Sequence, residues 1–181
     1  WLKGENGSGK TTLLKSIAGL IPFQGDIVLD QRISIRKNVM LFKQRVNYSE
    51  AEPLYPAFLT GKDLIQFYCE TLNEDFEKAT DLADTFVISN FLNQKIASYS
   101  SGMLKKLSLV LAFIGNPSLI LLDEPLITLD NKAVVQIHRL IEQYSNQGAT
   151  FLLTSHQSFD LFSSLIPTQL VLKNKAITIE K

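Results

Sequence analysis

The chain has 181 residues, 45% of them hydrophobic, enough to bury one substantial core with at most a small appended lobe. Its 18 basic and 18 acidic side chains cancel, which excludes a long-range field that would gather nucleic acid or an anionic membrane surface. A lone cysteine, Cys69, excludes an internal disulfide and falls in no metal-ligand spacing, so it reads as a small core residue.

In chain order the first feature is Gly4-Glu5-Asn6-Gly7-Ser8-Gly9-Lys10-Thr11, which satisfies G-x-x-x-x-G-K-[ST] at every fixed position. Glycines let such a loop curl until successive backbone N–H groups converge on a β-phosphate, and the helix that follows adds its positive end. Lys10 would supply a point charge to the β- and γ-phosphates of ATP, and Thr11 a hydroxyl to Mg2+. The expected nucleotide contacts are Glu5, Asn6, Gly7, Ser8, Gly9, Lys10, Thr11 and Thr12. Such loops follow a core strand, whereas only Trp1-Leu2-Lys3 precede this one, so leading strands are expected upstream.

Thr11 to Ala18 reads as a helix closed by Gly19, with Pro22 soon after. Asp26 to Leu29, a turn at Asp30-Gln31, and Arg45 to Tyr48 read as short strands of a small β region. Thr60 and Asp63 form a capping-box pattern before Leu64, Phe67, Tyr68 and Leu72 at helical spacing. A second helix carries Phe76, Ala79, Leu82, Ala83 and Phe86. From Ser101 the pattern alternates: helix to Ile114, strand Leu119 to Asp123, helix Asn131 to Gln147 closed by Gly148, strand Thr150 to Thr154. Such alternation predicts a parallel sheet covered by helices. Gln169 to Leu172 and Ala176 to Ile179 read as a terminal hairpin around Lys173-Asn174-Lys175. None of the apolar runs approaches the ~20 residues of a membrane-spanning helix.

Leu119-Ile120-Leu121-Leu122-Asp123-Glu124 has the form of a buried strand whose tip delivers carboxylates to a nucleotide crevice. Asp123 would hold Mg2+ through water, and Glu124 would polarise the attacking water. Phosphate loop and paired acids alone do not separate a kinase, a GTPase and a transport ATPase.

Three further segments do. Tyr99-Ser100-Ser101-Gly102-Met103 resembles the signature of the ATP-binding cassette (ABC) ATPases, in a variant of LSGGQ. Pro125-Leu126-Ile127-Thr128-Leu129-Asp130 resembles their D-loop, and Thr154-Ser155-His156 ends a strand as their switch histidine does. With the phosphate loop and acidic strand, five motifs stand in the family's order from Gly4 to His156. The resemblance implies an α/β fold: a P-loop NTPase core with a mostly parallel sheet, a small antiparallel β region and a short helical lobe. Residues 1–56 and 100–181 would form the core and 57–99 the lobe of a single domain. It also implies a dimer that sandwiches ATP between the phosphate loop of one subunit and Ser100, Ser101 and Gly102 of the other, with His156 sensing the γ-phosphate. The expected partners are therefore a second ABC ATPase subunit and a transmembrane permease subunit, an exporter being expected because the lobe is short. The expected location is the inner face of the cell membrane. His138, in a helix and outside any motif, reads as surface or packing.

The chain departs from the family pattern at two places. The glutamine that usually touches Mg2+ after an early strand falls here on Ala51, or on Glu50. Thr128 replaces the glycine usual in the D-loop. An alternative that these departures permit is a regulatory ABC module that binds ATP with little or no hydrolysis. Beside the glutamine position, Pro53-Leu54-Tyr55-Pro56-Ala57-Phe58 offers apolar side chains to a membrane subunit, or else packs into its own core.

Overall fold

A computed structural model describes residues 1–155 and 167–180. Its elements are β1 (Leu2–Lys3), α1 (Lys10–Ile17), β2 (Val28–Leu29), β3 (Ile33–Ser34), α2 (Val39–Arg45), β4 (Val46–Ser49), α3 (Gly61–Leu72), α4 (Phe76–Thr85), α5 (Ser101–Phe113), β5 (Leu119–Leu122), α6 (Asn131–Asn146), β6 (Thr150–Leu153), β7 (Gln169–Lys173) and β8 (Ala176–Glu180).

The strands β4, β5 and β6 run parallel, with Ser49, Leu122 and Leu153 in register at their C-terminal ends. A parallel bridge between Leu2 and Thr154 carries the array on to β1, which pairs parallel with β7. The hairpin partner β8 closes the edge antiparallel. Its turn places Asn174 and Lys175 at φ 51° and 61°, the left-handed pair that matches the twist of a two-residue hairpin.

The central strand is buried on both faces, and its side chains alternate between two cores as a period of two requires. Ile120 and Leu122 pack with α5, α6 and the helices α3 and α4; Leu121 packs with Leu14, Ile35, Phe42 and Val46 on the other side. That is why an unbroken apolar run can be a strand here. Helix α5 is apolar almost all round, with Leu107 to Phe113 buried, and so sits inside the molecule.

Two expectations are corrected. Arg45 to Tyr48 does not join the small β region: it begins at the end of α2 and continues as β4, inside the parallel sheet. Its polar Asn47 belongs there because its amide donates to the carbonyls of Ala112 and Ile114 at 2.9 and 2.8 Å, satisfying the end of α5. The small antiparallel region consists instead of β2 and β3 across the left-handed turn Asp30-Gln31. In α3, whose Thr60–Asp63 capping box forms as expected, the buried face is Leu64, Ile65 and Cys69, and Phe67 is 60% exposed. Among the described residues no helix is long and apolar enough to cross a membrane.

Candidate nucleotide site

The parallel register collects the chemistry at one edge. The phosphate loop follows β1, Glu50 follows β4, Asp123 and Glu124 follow β5, and Thr154 follows β6. The carboxyl ends of parallel strands are where α/β sheets bind ligands.

Between β1 and α1 the loop turns through left-handed Gly7 and Gly9, at φ 77° and 102°. Gly4 admits no side chain, since a Cβ there would meet Ser8 Oγ at 2.6 Å and the Leu172 carbonyl at 2.8 Å. The result is a concave backbone facing the β7–β8 hairpin across a cavity of about 360 Å³, lined by Gly4 to Ser8 and Val171 to Asn174. Lys10, the first residue of α1, folds its ammonium back onto the carbonyls of Gly4 and Glu5 at 2.8 and 3.2 Å. No side chain caps α1 and no acid stands in its first turn. Its leading N–H groups therefore present a positive end to an anion. Thr11 and Thr12 are exposed beside them, as are Glu5, Asn6 and Gly7; Ser8 and Gly9 are half-buried.

Asp123 is buried, and its carboxylate is held from two sides. Thr154 donates its hydroxyl to Oδ1 at 2.7 Å, and the Tyr48 hydroxyl reaches Oδ2 at 3.4 Å. Burial, and then the negative charge of Asp123, raise the Tyr48 phenol above its ordinary range, keeping it a donor. Glu124 is half-buried and stands at φ 44°. For a non-glycine residue this left-handed conformation persists only where neighbours enforce it. Thr11 offers a hydroxyl and Asp123 a carboxylate, hard oxygen donors of the kind Mg2+ takes alongside the oxygens of bound phosphates.

Ser100 caps α5, its Oγ accepting from the Met103 N–H at 3.2 Å, with Ser100 and Ser101 exposed. Gly102 abuts the Thr128 carbonyl. The signature segment thus packs on the loop after Glu124, whereas the phosphate loop packs on the β7–β8 hairpin. Lys106 joins α5 to α6 through a 2.6 Å ion pair with Asp130, which also caps α6 at Ala133. His156 lies outside the described residues.

Residues 1–127 match the family model described as ABC transporter. The chain belongs to that family. It is 34% identical over 168 residues to the uncharacterized ABC transporter ATP-binding protein YybJ of Bacillus subtilis, covering 90% of this chain and 74% of the relative. It is 33% identical to the cytochrome c biogenesis ATP-binding export protein CcmA of Legionella pneumophila, covering 88% and 80%. In fold it matches a dimeric ATP-binding cassette solved in a post-hydrolysis state with ADP and Pi, at a TM-score of 0.83 and 20% identity over 99% of this chain and 83% of that one. This ABC subunit therefore has the P-loop NTPase fold and the ATP-binding class of its family.

Two residues at the site of this ABC subunit were not anticipated as functional. Thr154 was expected only as the start of the segment leading to His156. Lys105 carried a visible signal: it is one of two adjacent cations, with Lys106, in the run Leu104 to Phe113, which is otherwise apolar apart from Ser108. It is 1% exposed, and its ammonium donates to the carbonyls of Glu50 at 2.5 Å and Asp123 at 2.8 Å. Burial pushes its pKa down to about 8, against the opposing pull of Asp123, Glu124 and Glu50.

Proposed function

We propose that this chain hydrolyses ATP and that it does so as one half of a dimer that drives a membrane permease. The observation that carries the reading is the placement of Asp123 and Glu124 at the tip of β5, with Asp123 tied through Thr154 to the strand bridged to the one that leads into the phosphate loop.

The residues divide the work by chemistry. Loop N–H groups and the start of α1 hold the β-phosphate, and Lys10 leaves the carbonyls of Gly4 and Glu5 to reach the β- and γ-phosphates. Thr11 and Asp123 would hold Mg2+, which neutralises charge developing on the phosphoryl oxygens. Glu124 accepts a hydrogen bond from the attacking water and orients it in line with the γ-phosphate. Ser100, Ser101 and Gly102, at the start of α5, meet the γ-phosphate held by a second subunit, and His156 donates to it. A solved cassette of the same fold is a dimer bound to ADP and Pi, which supports the dimeric part of the reading by analogy of fold.

Leu54 and Phe58, 88% and 73% exposed, lie just beyond Ala51 and offer the permease an apolar foothold. The nearby lobe, residues 57–99, packs into one core with α5, β5 and α6. CcmA, named as an export protein, supports an exporter. The subunit then works at the inner face of the membrane.

The test is Glu124→Gln. A positioned carboxylate contributes ~10²–10⁴ in rate, so phosphate release should fall by about that factor while ATP affinity is kept. Near-normal release would refute hydrolysis through Glu124. Absence of release from the unaltered subunit, with ATP bound, would favour the regulatory alternative.

A further inference from the structure

The peptide unit that joins Asp123 to Glu124 is held at both ends by side chains with no part in nucleotide binding as described above. Its carbonyl, that of Asp123, accepts from Lys105 Nζ at 2.8 Å. Its N–H, that of Glu124, donates to Thr154 Oγ1 at 2.9 Å. Both holders are buried, Lys105 at 1% exposure and Thr154 fully. The Thr154 hydroxyl is used twice, accepting from Glu124 and donating to the Asp123 carboxylate. Lys105 also ties in the Glu50 carbonyl, and with it the peptide leading to Ala51.

A clamp of this kind has a mechanical meaning. Relative to this rigid plane the Glu124 Cβ is placed by φ of Glu124 alone, so a plane held still gives the side chain a fixed base at the end of β5. Glu124 stands at φ 44°, a conformation that a non-glycine residue keeps only where its surroundings over-determine it. The two fixtures come from different elements, α5 and the end of β6, and hold the plane at its two ends.

We infer that Lys105 and Thr154 are positioning residues for hydrolysis, acting as a two-sided clamp on the Asp123–Glu124 peptide that aims the Glu124 carboxylate. This rests on the reading of Glu124 as the residue that orients water. Because the clamp grips backbone behind the site, its loss should lower kcat and spare metal-free nucleotide affinity; Thr154 also holds the Asp123 carboxylate, so affinity is compared without Mg2+. Misplacing a reacting group by about 1 Å costs ~10²-fold, so a loss between about 10- and 100-fold is expected.

The experiment uses the intact subunit and four variants. Lys105→Met keeps chain length and apolar contact but removes the donor, and Thr154→Val keeps shape but removes the hydroxyl. Lys105→Arg and Thr154→Ser restore a donor at each place. Hydrolysis kinetics with Mg2+ are measured beside equilibrium binding of a fluorescent ATP analogue without Mg2+, which leaves the Asp123 carboxylate out of the binding comparison. The clamp predicts a fall in kcat for Met and Val, a binding constant within about threefold of the parent's, and recovery of at least part of kcat in Arg or Ser. Folded Met and Val variants with full turnover would overturn it, as would parallel losses of affinity and rate. Should Lys105→Met fail to fold, the Val and Ser pair decides on its own. Clamp variants with full turnover beside an inactive Glu124→Gln remove the clamp alone; a fully active Glu124→Gln removes the functional reading and the clamp with it.

Discussion

The carbonyl oxygen of Thr128 lies 3.0 Å from where a Cβ on Gly102 would stand. The loop after Glu124 therefore crosses the first turn of α5 so closely that glycine fits there and any larger residue pushes the loop away. Thr128 holds that crossing at φ 63°, a region unfavourable for a β-branched side chain.

Thr128→Gly should accordingly relieve strain of order 1–3 kcal/mol. Roughly 1 kcal/mol of this is offset by the greater freedom of glycine in the unfolded chain. The expected outcome is unchanged stability or a gain of about 1 kcal/mol, read from urea unfolding. A loss of that size would mean that the Thr128 side chain makes contacts worth more than its backbone strain.

Of the two residues that could stand where the family usually carries glutamine, Glu50 has its carboxylate engaged by Lys15 at 3.1 Å and its carbonyl by Lys105. Both groups of Glu50 point away from a metal role, which supports Ala51 as the glutamine position. Ala51→Gln supplies an amide oxygen where a methyl stands, and should tighten Mg2+-dependent ATP binding or raise the hydrolysis rate. Titration of ATP binding with Mg2+ checks this. An unchanged curve and an unchanged rate would show that Ala51 is not the glutamine position or that water already serves as that ligand.

His138 is half-buried on α6, and burial holds its pKa below the ordinary 6.5. The unfolded chain therefore takes up this proton before the folded one does. Its contribution costs nothing above pH 6.5 and becomes increasingly unfavourable as pH falls from there toward the lower folded value. Stability of the unaltered chain minus that of His138→Gln should thus decline between pH 7.5 and 5.5. The subtraction cancels the carboxylates and His156, which titrate in both chains. A flat difference would place His138 in an environment as wet as the unfolded state.

Much of the site was legible in the sequence because its motifs are backbone requirements written as residue types. The left-handed turns of the phosphate loop need Gly7 and Gly9, and the close crossing at the signature needs Gly102. The strand Leu119 to Leu122 announced itself because burial on both faces removes polar alternation. The sheet assignment of Val46 to Ser49 was not legible, since a buried Asn47 mimics a surface residue until its two carbonyl partners 65 and 67 residues away are known. Helix α2 was hidden for a related reason: only Phe42 of its seven residues is buried, so no apolar face shows the helical period. The role of Lys105 depends on carbonyls contributed by two other segments, which no spacing within α5 could reveal.

The proposed sandwich of two subunits makes the sharpest prediction. Lys10→Ala removes the charge that holds the phosphates. Gly102→Asp places a carboxylate at the start of α5, against the Thr128 carbonyl and in the path of a γ-phosphate. If the chain forms a homodimer with shared sites, each variant alone is inactive at both. In a mixed dimer one composite site collects both defects, while the other joins the intact Lys10 of one chain to the intact signature of its partner. Where one working site sustains turnover, mixing two inactive proteins should restore part of the ATPase activity, up to about one quarter of the parent rate: random exchange makes half of all dimers mixed, each with one good site. If instead each site belonged to a single chain, both chains of every dimer would stay broken. Phosphate release from the mixture, with mixed dimers verified by two affinity tags, decides between these outcomes. No recovery in verified mixed dimers would count against shared sites and would move the chain toward a heterodimeric or non-hydrolytic role.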